Sequence, residues 1–465
     1  MKDKFNLKYI TGISLVAALG GLLFGYDWVV IGGAKPFYEQ FFHIAQNPSL
    51  QGWAMSSALV GCIVGTVISG FLSGRYGRKK LLILASILFL FSSIGTGGSN
   101  YFATFIAFRI LGGIGIGLAS NQSPVYIAEV APASLRGRFV SLNQLTIVIG
   151  ILLAQIINWV IAEAVPADAT ASFILQSWNG QHGWRYMFWA EAVPAALFFL
   201  CMWFVPESPR WLIKRGQTHK AGIILNRVGG EGYSKRTVLE IASSLGTETR
   251  KSMPSELFGK SAFPIVLLGV VLALFQQWCG INVIFLYAEE VFSAAGYTVS
   301  DMLFNVMITG SVNLIFTFVA LALVDKIGRK KLMLIGSGGL ALLYTVVGTL
   351  YFTGSTGVPL LLFVVAAIAC YAMTLAPVTW VVLSEIFPNK VRGAAMAVAT
   401  FALWTGNALL AYFFPIINNK VNASGSFWIF ALICVAGFFF IKARLIETKG
   451  KSLEEIEKEL QKNQT

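Results

Sequence analysis

The chain has 465 residues, of which 56% are hydrophobic and only 12% charged, with a mean hydropathy of +0.70. Soluble domains are roughly half apolar and a quarter charged, so a soluble enzyme or a disordered chain is excluded at once. The net charge of +13 would invite a polyanionic partner. Here the basic residues fall in short loops between apolar runs, which the positive-inside rule explains without nucleic acid.

In chain order, apolar segments of membrane-spanning length run near residues 9–35, 52–73, 81–98, 101–128, 138–162 and 186–205. The long polar stretch 206–262 follows, with ten Lys and Arg and periodic apolar positions at Ala221, Ile224, Leu225 and Val228 that predict short amphipathic helices. A second set lies near 263–288, 302–324, 332–352, 359–384, 393–416 and 426–443, before a polar tail over 444–465. The expectation is an all-α polytopic membrane protein. Twelve transmembrane helices form two six-helix bundles, 1–205 and 263–443, joined by a cytoplasmic helical linker, 206–262. The basic start, Met1 to Lys8, enters the first segment without a clear cleavage site and predicts an uncleaved first helix. With the N-terminus inside, the inner loops hold 31 of the 35 Lys and Arg, the outer loops only Lys35, Arg185 and Lys420. That asymmetry predicts a multi-pass protein with both termini in the cytoplasm.

The halves repeat. Gly77-Arg78-Lys79-Lys80-Leu81 recurs as Gly328-Arg329-Lys330-Lys331-Leu332, and Glu129-x-x-Pro132-x-x-x-Arg136-Gly137 as Glu385-x-x-Pro388-x-x-x-Arg392-Gly393. A duplicated six-helix bundle predicts an alternating-access transporter with substrate between the halves near mid-membrane.

Two ionisable residues lie inside predicted spans. Asp27 sits ~14 Å below the end of helix 1, if Pro36 marks that end, and Arg109 sits ~12 Å down helix 4. The matching depths predict a pair, either a permanent salt bridge or a proton site. The uncharged amides Gln144, Gln276, Gln277, Asn282 and Asn313 lie in apolar helices and offer both donors and acceptors to a neutral polar ligand. The alternative for them is hydrogen bonding between helices. Gly280 is placed to break helix 7 beside them. A third group is charged and sits at the inner ends of helices: Arg75, Arg78, Glu129, Arg136, Glu207 and Arg210 in the first half, with Asp325, Arg329, Glu385 and Arg392 in the second. They read either as a solvated face or as an ion-pair latch closing the inner side, which Glu447 is placed to join. Gly113-Ile-Gly115-Ile-Gly117 lies in a span, so close helix packing explains it better than a nucleotide loop. The chain has no Walker motif, no clustered His or Cys and no nucleophile–base arrangement, which predicts no ATP drive, metal, cofactor or enzyme activity. Its five cysteines, Cys62, Cys201, Cys279, Cys370 and Cys434, stand one to a segment as small core residues.

Taken in order, these residues resemble a known family. Gly20-Gly21-Leu22-Leu23-Phe24-Gly25-Tyr26-Asp27, Arg75-x-Gly77-Arg78-Lys79, Arg109-x-x-x-Gly113-x-Gly115-x-Gly117, Pro206-Glu207-Ser208-Pro209-Arg210-Trp211-Leu212, Gln276-Gln277-x-x-Gly280-Ile281-Asn282 and Glu447-Thr448-Lys449-Gly450 together look like the sugar porters of the major facilitator superfamily. The likeness runs from Gly20 to Gly450 and is strongest to bacterial xylose–proton symporters. It implies symport of a neutral pentose or hexose with a proton, Asp27 as coupling residue, Trp380 as sugar contact and Trp404 as pocket lining. Its expected partners are sugar, proton and bilayer, with no obligate protein partner and a functional monomer. A passive sugar uniporter on the same fold is the alternative, and a non-transporting sugar sensor a weaker one. The sequence departs from the family at Gly74 (usually acidic or Asn), Leu286 (usually aromatic), Leu403 (Gln in the xylose symporter) and Ile446 (usually Pro).

Overall fold

The computed structural model describes residues 5–166, 168–247, 257, 259, 262–355, 357–388, 391–449, 451, 455, 456 and 459; at 244–247, 321 and 325 only the backbone is described. Among these residues the chain is helical throughout, with no strand. The first five helices are α1 (Leu7–Phe41), α2 (Pro48–Tyr76), α3 (Arg78–Gly97), α4 (Phe102–Val130) and α5 (Arg136–Ile161). The short α6 (Ala171–Gln176) precedes a π-helical turn, Asn179–Gly183, which runs into α7 (Trp184–Trp189) and α8 (Ala192–Phe204) as one further crossing. Two further helices follow, α9 (Pro209–Lys214) and α10 (Thr218–Thr247), which pack Leu212, Ile213, Ala221 and Ile224 against Trp211, Val238 and Ile241.

The second set begins with a broken crossing. Gly280, at φ 92°, separates α11 (Phe263–Trp278) from α12 (Ile281–Leu286), and α13 (Ala288–Ser293) follows after Tyr287. Then come α14 (Val299–Ile327), α15 (Arg329–Phe352), α16 (Val358–Met373) and α17 (Leu375–Ile386), the last two parted by the non-helical Thr374. The 53-residue α18 (Arg392–Arg444) would be ~80 Å long if straight, far more than a bilayer. Asn422, at φ 60°, divides it into the last two expected spans. Eleven described helices are long and apolar enough to cross a membrane, and the division of α18 raises the number of crossings to twelve.

Two expectations about loops are corrected. Pro36 does not end helix 1, which continues to Phe41 because the Lys35–Glu39 pair bridges the turn over the missing N–H. Lys35 is therefore a buried helical residue, 2% exposed, and not an outer-loop cation. Arg185 likewise lies in α7, with its guanidinium 4.7 Å from the Phe41 ring centroid and 4.5 Å from that of Trp184.

Two compact units divide the chain. The first comprises Met1–Trp28, Gly61–Ile151 and Phe188–Lys251. In it α2 and α4 touch backbone to backbone: a Cβ on Gly61 would stand 2.2 Å from the Ile110 carbonyl oxygen, and one on Gly117 2.4 Å from that of Cys62. The glycine run thus serves helix packing, as expected. The second unit comprises Val29–Val60, Leu152–Met187 and Ser252–Thr465. Within it, the far ends of α1, α2 and α5 pack on the second-half helices. A Cβ on Gly32 would lie 2.6 Å from the Phe285 carbonyl oxygen and one on Gly52 2.2 Å from that of Tyr412, while the Val165 N–H donates to Ser300 Oγ at 2.9 Å.

Candidate functional site

In the first unit, α1 and α4 bring Asp27 and Arg109 together, each 1% exposed. Arg109 Nη1 donates to Asp27 Oδ1, and Nη2 to the Asp27 carbonyl oxygen at 3.3 Å. The guanidinium also lies 5.6 Å from the centroid of the Phe188 ring. Asp27 Oδ2 and Arg109 Nε have no hydrogen-bond partner. Gly112 leaves room for this carboxylate, since a Cβ there would stand 2.7 Å from Oδ2 and 2.4 Å from Ser92 Oγ. A third charged group completes the site. Glu191, also 1% exposed and just before α8, interacts electrostatically with both Asp27 and Arg109, and its Oε1 is unpartnered. With both acids ionised, this buried group of two carboxylates and one guanidinium carries one excess negative charge. A proton is the smallest ligand that neutralises it.

In the second unit the broken crossing brings four amides and a phenol into one chain of hydrogen bonds. Gln276 Nε2 donates to Tyr371 Oη at 2.9 Å, Gln277 Nε2 to Gln276 Oε1 at 2.5 Å, and Asn282 Nδ2 to Gln277 Oε1 at 2.6 Å and to Asn407 Oδ1 at 3.4 Å. The left-handed Gly280 creates this geometry by restarting the helix, which turns Asn282 back toward Gln277. The amides are 3–6% exposed, yet they retain spare donors and acceptors that sugar hydroxyls can use. Tyr371 and Asn407 were not singled out in the sequence. Their signal was a polar group in each of two apolar spans, the same signal that marked Asn313. Asn313 in α14 is buried but has no side-chain bond to this chain, Trp404 is 3% exposed, and Trp380 in α17 is 36% exposed. Gln144 is a partly buried residue of α5 in the first unit. At two positions where the sequence departs from the family, Leu286 and Leu403 are buried apolar residues.

The charged group forms two matching knots, one in each unit. Gly77 and Gly328, at φ 88° and 101°, cap α3 and α15. Arg78 pairs with Glu129 at 2.9 Å, and Arg329 with Glu385 at 3.1 Å. Glu207 Oε1 accepts from the backbone N–H groups of Arg78 at 3.0 Å, Lys79 at 3.1 Å and Ser208 at 2.8 Å. In the second unit Glu447 Oε1 does the same for Arg329 at 2.8 Å and for Thr448 and Lys449 at 3.1 Å. Ser208 donates to Glu129, and Thr448 to Glu385 at 2.6 Å. Each knot thus seats a carboxylate on a helix N-terminus, where the dipole favours it. The two carboxylates differ in surroundings. Burial pushes Glu207 above the usual range against its backbone donors, whereas at Glu447 burial is outweighed by the N–H groups of Lys449, Arg329, Lys331 and Thr448, which hold it below. Arg136 donates to the Ala128 carbonyl and Arg392 to that of Phe387, Arg75 lies over Tyr76, and Arg210 lies in the first turn of α9 after Pro209. The side chain of Asp325 lies outside the described residues. No cluster of metal-ligating side chains occurs among the described residues.

Comparison with known proteins gives one consistent picture. A family profile described as "Sugar (and other) transporter" matches residues 13–460. The D-xylose-proton symporter of Escherichia coli (strain K12) is 40% identical over 487 aligned residues, covering 98% of this chain and 97% of that one. The arabinose-proton symporter of Bacillus subtilis (strain 168) is 40% identical over 454, covering 97% and 95%. The solved E. coli xylose transporter XylE, in a partially occluded inward-open conformation, matches with a TM-score of 0.85 at 38% identity, covering 96% of this chain and 100% of that one. XylE bound to 6-bromo-6-deoxy-D-glucose matches at 0.82 and 39%, covering 98% and 100%.

Proposed function

The chain belongs to the sugar transporter family, and on that premise we propose that it carries a neutral pentose or hexose into the cell together with a proton, by alternating access. The carrying observation is the buried Asp27–Arg109–Glu191 group, whose uncompensated carboxylate charge a proton relieves. A passive carrier has no use for an ionisable group of this kind, because burying it is costly and transport needs only the sugar site. The relatives named as proton symporters of xylose and arabinose support the substrate class.

Gln276, Gln277 and Asn282, continued by Tyr371 and Asn407, are assigned to the sugar, with Gln144, Asn313, Trp380 and Trp404 as further contacts. Neutral amides suit an uncharged polyol, since each amide both donates and accepts and none attracts ions. Arg75, Arg78, Glu129, Arg136, Glu207, Arg210, Asp325, Arg329, Glu385 and Arg392 are assigned to the inner gate. The pairs seen within each unit hold the helix ends that such a gate must move as rigid pieces. Residues 1–205 and 263–443 are read as the two moving bundles, with 206–262 as linker. The loops that hold Gly77 and Gly328, and the two ends of the chain, are assigned to the cytoplasmic side of a bacterial inner membrane on their excess of Lys and Arg. The protein is read as a functional monomer without cofactor.

The test is uptake of labelled xylose, arabinose and glucose into proteoliposomes with and without an imposed pH gradient, acid outside. Symport predicts accumulation of at least one sugar above its external concentration, only while the gradient lasts. Equilibration to equal concentrations at every pH gradient would make the protein a uniporter.

A further inference from the structure

The C-terminal end of α1 carries a second buried group of charges, separate from Asp27. Lys35 Nζ lies 3.1 Å from Glu39 Oε2 on its own helix, 3.0 Å from Glu289 Oε2 and 2.8 Å from Glu290 Oε1 on α13. The Lys35 and Glu39 side chains are 3% and 4% exposed, those of Glu289 and Glu290 29% and 21%. Gln51 of α2 donates to Glu39 Oε2 at 3.0 Å. Tyr38 of α1 and Tyr287, between α12 and α13, are the other ionisable groups that bear on the cluster. One ammonium therefore faces three carboxylates. Two carboxylate oxygens pointing into the cluster, Glu39 Oε1 and Glu290 Oε2, are buried and have no partner.

This arithmetic does not balance with all three acids ionised. Two negative charges remain in a low-dielectric place, and like charges at this spacing repel strongly. When α13 leaves α1, Lys35 keeps Glu39 as its i, i+4 partner, and Glu289 and Glu290 ionise freely in water. Packing the two segments thus crowds the carboxylates, and a proton relieves the crowding. We propose that the Lys35–Glu39–Glu289–Glu290 cluster is a second proton-binding site, filled when α13 packs on α1 and emptied when they part. The proton enters from the solvent at this face and sits on Glu39 or Glu290, taking the cluster from two excess negative charges to one. It returns to the same solvent on opening, so it is not the transported proton. Acid on this side therefore favours the packed state.

The proposal rests on the alternating-access reading for its opening step, and its test does not depend on sugar coupling. Spin labels at Gln46→Cys and Ser293→Cys, in full-length protein with the native cysteines replaced by serine, report the separation of the two segments by pulsed electron resonance. Between about pH 8 and about pH 5.5 the packed-to-parted ratio is expected to rise, by up to about tenfold per pH unit, the limit for one proton. Glu39→Gln or Glu290→Gln replaces an acid by a neutral mimic of its protonated form. The variant at the proton-bearing residue should stay packed and lose the pH slope, while Lys35→Gln should favour the parted state throughout. The titration is repeated in the Asp27→Asn background, which removes the coupling site's own protonation: a slope that persists there belongs to this cluster, and its loss would overturn the proposal. A wild-type ratio independent of pH, or wild-type slopes retained in both glutamine variants, would overturn the proposal even if sugar symport stands. Should Glu39→Gln fail to fold, the Glu290→Gln slope and the wild-type titration decide.

Discussion

Replacing Gln276 by alanine removes the amide that joins the chain to Tyr371. Its Nε2 no longer donates to Tyr371, and its Oε1 no longer accepts from Gln277. Each buried group stranded in this way costs about 1–3 kcal/mol, part of which the empty protein also bears, so folding must be checked by thermal denaturation in detergent. For bound sugar, losing one or two neutral hydrogen bonds costs about 1–3 kcal/mol, or roughly 5- to 150-fold in Kd. Isothermal titration of xylose and arabinose into purified, folded protein reads this directly. Tyr371→Phe gives an internal control. If the phenol orients Gln276, the double variant loses less than the two single losses added together, because the second change removes a contact already lost. Unchanged affinity in a folded Gln276→Ala protein, for every sugar the wild type binds, would refute the pocket assignment.

Other perturbations test the remaining parts. Gly112→Ala places a methyl group against Asp27 Oδ2 and Ser92 Oγ without changing any charge, and should impair proton-driven uptake with little effect on sugar affinity in titration. Glu385→Ala or Arg329→Ala removes an ion pair of the second knot and should widen the distance distribution between labels at the helix ends that carry the knots, a shift of the few kcal/mol scale on which such equilibria turn. The two helix-capping acids should respond oppositely to pH. Glu207 is raised in the folded state, so the stability it contributes is present below about pH 4.5, its ordinary value, and is lost as pH rises above it; the reverse holds for Glu447, whose contribution is lost as pH falls below that value. Thermal scans from acid to neutral pH should therefore show Glu207→Gln and Glu447→Gln altering the pH slope of stability in opposite directions.

The crossings were legible because a bilayer imposes a length and an apolarity that composition alone reveals. The duplication was equally open, since Gly77-Arg78 and Gly328-Arg329 repeat letter for letter and the same capping geometry follows in both places. Asp27 and Arg109 could be paired because charge is so rare in a span that two at one depth seek each other. Glu191 is harder to read, because it sits near a break between α7 and α8 that hydropathy does not register. Pro36 misled for a different reason: a proline reads as a stop, yet packing and the Lys35–Glu39 pair carry α1 one turn further. That extra turn hid the Lys35 cluster, because a lysine expected in water does not prompt a search for buried partners. Tyr371 and Asn407 depend on which helices the broken crossing faces, information that no single segment contains.

The central claim is that sugar movement is driven by a proton carried at Asp27. The most direct measurement compares wild-type and Asp27→Asn protein in the same proteoliposomes, following both accumulation under an imposed pH gradient and exchange of labelled for unlabelled sugar at equal pH. Breaking a buried pair costs ~3–5 kcal/mol where no other partner exists, but Glu191 remains near Arg109, so a folded variant is expected. The account predicts that exchange survives while accumulation falls to simple equilibration. A folded Asp27→Asn protein that still concentrates sugar on a proton gradient alone would contradict it.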